Sequence, residues 1–319
     1  MKAAVYDVEG APDVLQYIDV PDPVAGPDDV LISVEAISIE GGDLINRRST
    51  PPPLPSWIVG YAAAGTVVAV GAKVRNRRVG DRVAAFSMQG SHAERWAVPA
   101  KRTWLIPDGV DAADAAVVPI SFGTAHHCLF TRGMLRHGET VLIQAAAGGV
   151  GLAAVQLASQ AGATVIAVAS GTQRRSRLRE WGADYVVDRV EDNVVDSVRE
   201  YTNGAGVDLV IDPVGTTLPV SLSALAPEGR LVFVGNAGGD SLTVDLWPPM
   251  QSNQTLMGVF MGPLFERPDV RTSVDDMLQA VAEGRIRVVI DRIFPLANAA
   301  AAHEYAETAK PLGRIVMTP

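Results

Sequence analysis

Val141-Leu142-Ile143-Gln144-Ala145-Ala146-Ala147-Gly148-Gly149-Val150-Gly151, running on into Leu152-Ala153-Ala154-Val155-Gln156-Leu157-Ala158, is the stretch from which the fold is read. A short apolar run, a bend of small residues and an apolar segment of helical length predict strand, tight turn and helix, the context that a dinucleotide fingerprint requires. Ala146, Gly148 and Gly151 occupy the three glycine positions of G-x-G-x-x-G, with alanine at the first. A missing side chain at Gly148 lets a pyrophosphate approach the backbone, and the helix starting there offers free N–H groups and the positive end of its dipole. Gly151 lets the helix pack close to the strand. Ala147, Gly148, Gly149 and Val150 are therefore expected at the phosphates.

Outward from this turn, strands alternate with helix-length amphipathic segments. The strands are read at 141–144, 164–169, 185–188, 207–212, 230–235 and 256–261, with helices such as 150–161 and 194–201 among the first five. That rhythm calls for a parallel sheet covered on both faces. After Met261 it breaks, leaving a helix near 274–282 and short strands at 287–293 and 314–317, which are expected to return to the first domain.

Before about residue 105 the apolar runs are short and β-rich: Ala3 to Tyr6, Val30 to Val34, Gly65 to Val70, Arg82 to Phe86. Pro51-Pro52-Pro53 and Gly80-Asp81 punctuate them, which reads as a compact domain of irregular β structure.

The 319 residues suit about two domains, and 48% apolar with 20% charged residues is a globular balance. A formal net charge of −9 argues against nucleic acid or an anionic membrane as partner, because both require a basic surface. Small molecules are the expected partners. Asp7 and Glu9 follow the start at once with no apolar signal core, and no run of about 18 apolar residues occurs, so the protein is expected in the cytoplasm. The single cysteine, Cys128, can form neither an internal disulfide nor a multi-cysteine metal site, and is read as a buried structural thiol. The five histidines, His92, His126, His127, His137 and His303, are scattered or point apart, so no metal is expected.

Cofactor choice is written after the second strand. An acid about 20 positions beyond the turn would bind the adenosine 2′-hydroxyl and repel a 2′-phosphate. That place holds Ser170-Gly171-Thr172-Gln173-Arg174-Arg175, and the first acid after Gly151 is Glu180. Guanidiniums and small donors suit a phosphate dianion, so NADPH is expected, with Arg174 on the phosphate and Arg177 and Arg179 on a solvated helix face.

At these residues the sequence resembles the zinc-independent quinone oxidoreductase branch of the medium-chain dehydrogenase/reductase superfamily. The resemblance is carried by Val79-Gly80-Asp81-Arg82-Val83, Leu105-Ile106-Pro107-Asp108-Gly109, Ala145 to Gly151, Trp181-Gly182-Ala183-Asp184, Asp212-Pro213-Val214-Gly215, Gly235-Asn236 and Gly313-Arg314-Ile315-Val316. It implies an α/β protein, a Rossmann doubly wound parallel sheet inserted in a GroES-like, mostly-β catalytic domain. The implied limits are 1–121 plus 264–319 for the catalytic domain and 122–263 for the NADPH-binding domain, with substrate in the cleft between them. It further implies Ser170, Arg174 and Arg189 at the 2′-phosphate. Val214, Gly215, Gly235, Asn236 and the Phe260-Met261 backbone would line the ribose and nicotinamide, with Arg314 also counted among the cofactor contacts. A homodimer formed by the last Rossmann strand is implied too.

The chain also departs from that pattern. Glu40 stands where zinc-dependent relatives carry a ligand cysteine and quinone oxidoreductases commonly an asparagine. Ile45 stands where the latter have a tyrosine, and Ala62 replaces a frequent internal glutamate. Asp43 keeps its place. Without zinc, acceptors already electron-poor at carbon are favoured, and the expected reaction is hydride transfer from NADPH to a quinone or α,β-unsaturated carbonyl. Asp43 and Thr124 are the candidate catalytic residues, and Glu40, Ile45, Trp57 and Met261 the candidate pocket, with water an alternative proton source. Two other readings stay open: an enoyl-thioester reductase of polyketide or fatty-acid type, and a non-catalytic NADPH-binding sensor.

Overall fold

The computed structural model describes residues 1–239 and 241–319. It divides into two compact units, Met1–Gly123 with Gly262–Pro319, and Thr124–Met261.

The first unit opens with β1 (Lys2–Tyr6) and β2 (Gln16–Asp19), followed by β3 (Asp29–Ile39), α1 (Gly41–Ser49), β4 (Trp57–Ile58), β5 (Ala62–Val70), β6 (Arg82–Phe86), β7 (Arg95–Pro99) and β8 (Thr103–Leu105). α2 (Ala112–His126) contains the unit limit. The strand expected at 30–34 runs on to Ile39, because its alternating burial gives way to a fully buried end at Ala36 to Ile39. β3 is therefore long enough to pair with β5, β7 and the last strand of the chain. Val30, Ile32, Ile37, Val67, Val83, Val98 and Met317 are inaccessible to solvent, and each such side chain contributes roughly 1.5–3 kcal/mol.

The second unit carries β9 (Thr140–Ile143), α3 (Gly149–Gln160), β10 (Thr164–Ala169), α4 (Thr172–Glu180), β11 (Tyr185–Asp188), α5 (Val194–Tyr201), β12 (Val207–Asp212), α6 (Leu218–Ala224), β13 (Leu225–Phe233), α7 (Trp247–Gln251) and β14 (Thr255–Gly258). The strands pair in parallel in the order β11-β10-β9-β12-β13-β14. The chain thus winds out from β9 to one side and then, from β12, to the other. That reversal is the doubly wound arrangement, which places binding loops at the carboxyl ends of the strands beside the switch point. Leu142, Ile166, Val168, Val210 and Leu231 form its buried centre. β14 is an edge, and it ends at Gly258 rather than at the expected Met261, so Phe260 and Met261 lie beyond the strand.

The remaining elements rejoin the first unit: α8 (Pro268–Ala282), β15 (Ile290–Pro295), α9 (Ala299–Thr308) and β16 (Arg314–Thr318). β16 pairs with β3, so the last strand of the chain joins the sheet of β3, β5, β6 and β8. α8 begins earlier than the expected 274 because Pro268 opens its first turn, where a missing N–H costs nothing. No helix among the described residues is long and apolar enough to cross a membrane.

Candidate functional site

The candidate residues form two groups, one in each unit. In the second unit, the turn after β9 is built as its small residues require. Ala145 takes a positive φ of 48°, and the Gly148 N–H returns to its carbonyl at 2.9 Å. A side chain on Gly151 would lie 2.4 Å from the Ala145 oxygen and 2.7 Å from Ala146 Cα, so helix and strand meet at a distance that only glycine allows. Gly148 is different. A Cβ there would meet nothing nearer than the Ala145 oxygen at 3.4 Å, so its bareness serves no internal packing and leaves the start of α3 uncovered. The first-turn N–H groups of α3, including those of Gly149 and Val150, have no partner inside the helix and are available to an anion.

At the end of β10, Ser170 is buried, and its hydroxyl accepts a 2.8 Å hydrogen bond from Arg174 Nη2. Burial and the neighbouring Arg189 charge both lower the Arg174 pKa, while Asp188 opposes them. Two guanidiniums that repel each other beside a buried hydroxyl form a place where an added dianion relieves their repulsion. Asp188 is an acid beside this turn, but it is already engaged. Its carboxylate accepts from the backbone N–H of Val190 and of Gly171 and pairs with Arg175 at 3.2 Å. Arg177 and Arg179 are exposed, as expected.

The other expected cofactor residues follow the ends of neighbouring strands. Asp212, buried at the end of β12, accepts from the N–H groups of Val214 and Gly215 and from the Thr217 and Ser221 hydroxyls. This holds the Pro213–Gly215 turn, where Gly215 has a φ of +83°. A side chain at Gly215 would lie 2.8 Å from Asn236 Oδ1, so the turns after β12 and β13 touch. Phe260 is 70% exposed and Met261 is buried. Thr124 is also buried, and its hydroxyl oxygen has no partner among the described residues.

In the first unit, α1 is the organising element. Glu40 is its N-cap and Asp43 its third residue, and the Glu40 N–H donates to Asp43 Oδ2 at 2.8 Å. Both acids are buried. Glu40 accepts from the Ser38 hydroxyl at 2.7 Å and forms an ion pair with Arg314. Arg314, expected among the cofactor contacts, has its remaining guanidinium nitrogens on Ser121 Oγ at 2.9 Å and the Ile39 carbonyl at 3.4 Å.

Burial pushes the Glu40 carboxyl up to about 7 against the pull of Arg314 and Ser38, and raises Asp43 well above the usual carboxylate range. Two buried acids lie beside one guanidinium, and each takes up a proton more readily than an exposed carboxylate. Asp43 Oδ1 has no side-chain hydrogen-bond partner among the described residues. On the same helix Ile45 is half-buried, and Asn46 Nδ2 donates to the Tyr61 hydroxyl at 2.8 Å. Trp57, half-buried on β4, stands opposite Tyr6 of β1.

Sequence reasoning missed Tyr61, Asn46, Ser38 and Ser121, which carry no motif. It also treated the histidines as scattered, and this is corrected: His92 and His303 are both buried with their Nε2 atoms 3.0 Å apart. They meet because the segment before β7 and helix α9 pack together, a pairing no local signal encodes. Among the described residues no three His, Cys, Asp or Glu side chains gather where a metal ion could be held.

Comparison with known proteins places both units. Residues 26–108 match the alcohol dehydrogenase GroES-like domain and residues 149–283 match the zinc-binding dehydrogenase domain. The chain is 34% identical to a quinone oxidoreductase of Pseudomonas aeruginosa over 316 residues, covering 97% of each. It is 30% identical to a 2-haloacrylate reductase of Burkholderia sp over 329 residues, covering 99% of this chain and 98% of the relative. The crystal structure of Escherichia coli quinone oxidoreductase complexed with NADPH superposes with a TM-score of 0.95 at 28% identity, covering 100% of both chains.

Proposed function

The chain belongs to the quinone oxidoreductase branch of the medium-chain dehydrogenase/reductase superfamily, and from that premise we propose that it is an NADPH-dependent reductase of quinones or α,β-unsaturated carbonyls. The observation that carries the cofactor choice is the end of β10, where Ser170, Arg174 and Arg189 gather and the nearby Asp188 is neutralised by Arg175 and backbone N–H groups. A carboxylate free to bind ribose hydroxyls would exclude a 2′-phosphate, whereas paired guanidiniums bind one.

When bound, the reduced nicotinamide supplies a hydride. The chain supplies the rest. Ala147, Gly148, Gly149 and Val150 offer the bare start of α3 to the pyrophosphate. Val214, Gly215, Gly235, Asn236 and Phe260 hold the ribose and nicotinamide. Arg314 is assigned to Glu40 as its counter-ion rather than to the cofactor. Because Glu40 stands at a zinc ligand's place and is held by Arg314 and Ser38, the assigned chemistry uses no Lewis acid, which favours acceptors already electron-poor at carbon. The quinone and 2-haloacrylate acted on by two relatives, according to their names, are acceptors of that kind. Glu40, Ile45 and Trp57 in the first unit and Met261 in the second are assigned to the acceptor, Asp43, its carboxyl raised by burial, is assigned as proton donor, and the Thr124 hydroxyl, without a partner among the described residues, is assigned to a cofactor or substrate oxygen.

The same reading includes a homodimer built on β14. This edge strand leaves its outer N–H and C=O groups unpaired, and Leu256 on it is 38% exposed.

The test is to mix the protein with NADPH and a panel of quinones, alkenals, cyclic enones and acyl thioesters while following loss of nicotinamide absorbance. Turnover of quinones or enones supports the proposal. Turnover of acyl thioesters alone would replace it with an enoyl-thioester reductase, and tight NADPH binding without any turnover would replace it with a sensor.

A further inference from the structure

Tyr61 lies between β4 and β5, and three contacts fix its ring. A Cβ on Gly42 would be 2.2 Å from Tyr61 Cε2, so the ring lies flush against the first turn of α1 in space that only a glycine leaves. Phe86 meets it edge-on, with centroids 6.3 Å apart and planes at 76°. Asn46 Nδ2 donates to the phenol oxygen at 2.8 Å, from one turn further along the same helix.

This arrangement leaves the phenol with an unspent donor. Tyr61 Oη enters the described hydrogen bonds only as an acceptor, so among the described residues its own proton is given to no partner. The ring is half-buried, unlike its neighbours Gly60 and Ala62, which are fully buried. Burial and the adjacent Asp43 carboxyl push the phenol up to about 12, so it stays protonated throughout the physiological range. A bond accepted at the oxygen polarises the O–H and strengthens what it donates.

Resting on the oxidoreductase reading above, we propose that Tyr61 donates a hydrogen bond to the carbonyl oxygen of the acceptor, with Asn46 and Gly42 as the residues that position it. As the β-carbon of an enone gains hydride from NADPH, a C–H bond of the reduced nicotinamide breaks, a new C–H bond forms at the β-carbon, the enone is reduced and the dinucleotide is oxidised to NADP⁺. The alkene π pair moves to join the α-carbon and carbonyl carbon, and the carbonyl pair moves to oxygen. Tyr61 O–H stabilises the resulting enolate without losing its proton; the enolate oxygen pair then re-forms the carbonyl as the C=C pair takes a proton from water at the α-carbon, leaving hydroxide to the solvent. The Ile45 side chain, at the place where relatives carry a phenol, cannot do this, and Tyr61 supplies the same chemistry from a different element.

The test uses the full chain and 4-dimethylaminocinnamaldehyde, a conjugated aldehyde whose visible band moves to longer wavelength when its oxygen accepts a hydrogen bond. It is first mixed with protein and NADP⁺, so that no reduction occurs. A red shift in the wild type that is largely lost in Tyr61→Phe supports the proposal. With NADPH, Tyr61→Phe is expected to lose about 100-fold in kcat/KM, the low end for removing one donor from an oxyanion, with NADPH affinity unchanged. Asn46→Ala is expected to lose less, and the double variant no more than Tyr61→Phe alone. An unshifted band in the wild type, or equal shifts and rates in wild type and Tyr61→Phe, would overturn the assignment of Tyr61 while intact NADPH-dependent turnover left the oxidoreductase reading standing. Failure of the wild type both to bind NADPH and to reduce the aldehyde would overturn both.

Discussion

The carboxylate of Glu40, at the foot of α1, is paired with the guanidinium of Arg314 in the last strand, and the pair ties the two ends of the first unit together beside the buried Asp43. Desolvation outweighs that attraction, since Glu40 is raised to about 7 despite Arg314. A carboxyl raised in the folded state binds more protons folded than unfolded between its two pKa values, so its contribution is complete below about 4.5 and is lost as pH rises through about 7. The stability advantage of wild type over Glu40→Gln should therefore shrink between pH 4.5 and pH 7, by up to roughly 3 kcal/mol. Denaturant unfolding of both proteins across that range measures it, and an advantage that grows with pH would show that the Arg314 pairing dominates.

Gly148 and Gly151 lack side chains for opposite reasons, and their alanine variants should separate. Gly151→Ala drives a Cβ to 2.4 Å from the Ala145 oxygen and is expected to cost about 1–3 kcal/mol of stability as the helix is pushed off the strand. Gly148→Ala meets only an ordinary 3.4 Å contact, so it should cost about 1 kcal/mol or less while weakening dinucleotide binding. Thermal melts paired with cofactor titrations check both. Equal destabilisation by the two substitutions would contradict this division.

The His92–His303 pair predicts acid lability. Burial lowers His92 to about 3, and lowers His303 well below its ordinary value with help from the nearby His92 and Arg47 charges. A histidine depressed in the fold binds protons preferentially when unfolded, so its contribution is complete above about 6.5 and is lost as pH falls toward 3. His92 alone should cost roughly 2–3 kcal/mol by pH 4.5. His303→Gln should flatten the dependence of the unfolding midpoint on pH between 6.5 and 4.5, and an unchanged slope would assign acid unfolding to other groups.

If β14 pairs with its counterpart in a second copy, a charge on its exposed apolar position should separate the copies. Leu256→Asp is expected to halve the mass measured by light scattering while leaving the melting profile of the unit cooperative. A wild type that is already monomeric at micromolar concentration would remove the edge-strand dimer from the account.

The parts of the fold set by local signals were legible in the sequence. β10, β11, β12 and α5 begin and end where period and turn residues place them, because each is bounded by glycine, asparagine or a charged turn and covered on a predictable face. β3 and α8 are longer than their apolar cores suggest. β3 continues because the chain ends return to pair with it, and α8 begins at a proline that reads as a breaker until it is placed at a first turn. In the candidate site the glycine turn and the arginines after β10 announce themselves, since backbone geometry and charge sign are local properties. Glu40–Arg314, Asn46–Tyr61 and His92–His303 do not, because each depends on which segments the tertiary fold brings together.

The central claim is that the end of β10 selects a phosphorylated dinucleotide, and a direct measurement is the ratio of NADPH to NADH dissociation constants for the wild-type protein, from quenching of intrinsic fluorescence. One charge-assisted contact from Arg174 to the 2′-phosphate should make NADPH bind about 10- to 100-fold more tightly. Equal affinity for the two cofactors, or tighter binding of NADH, would contradict the account.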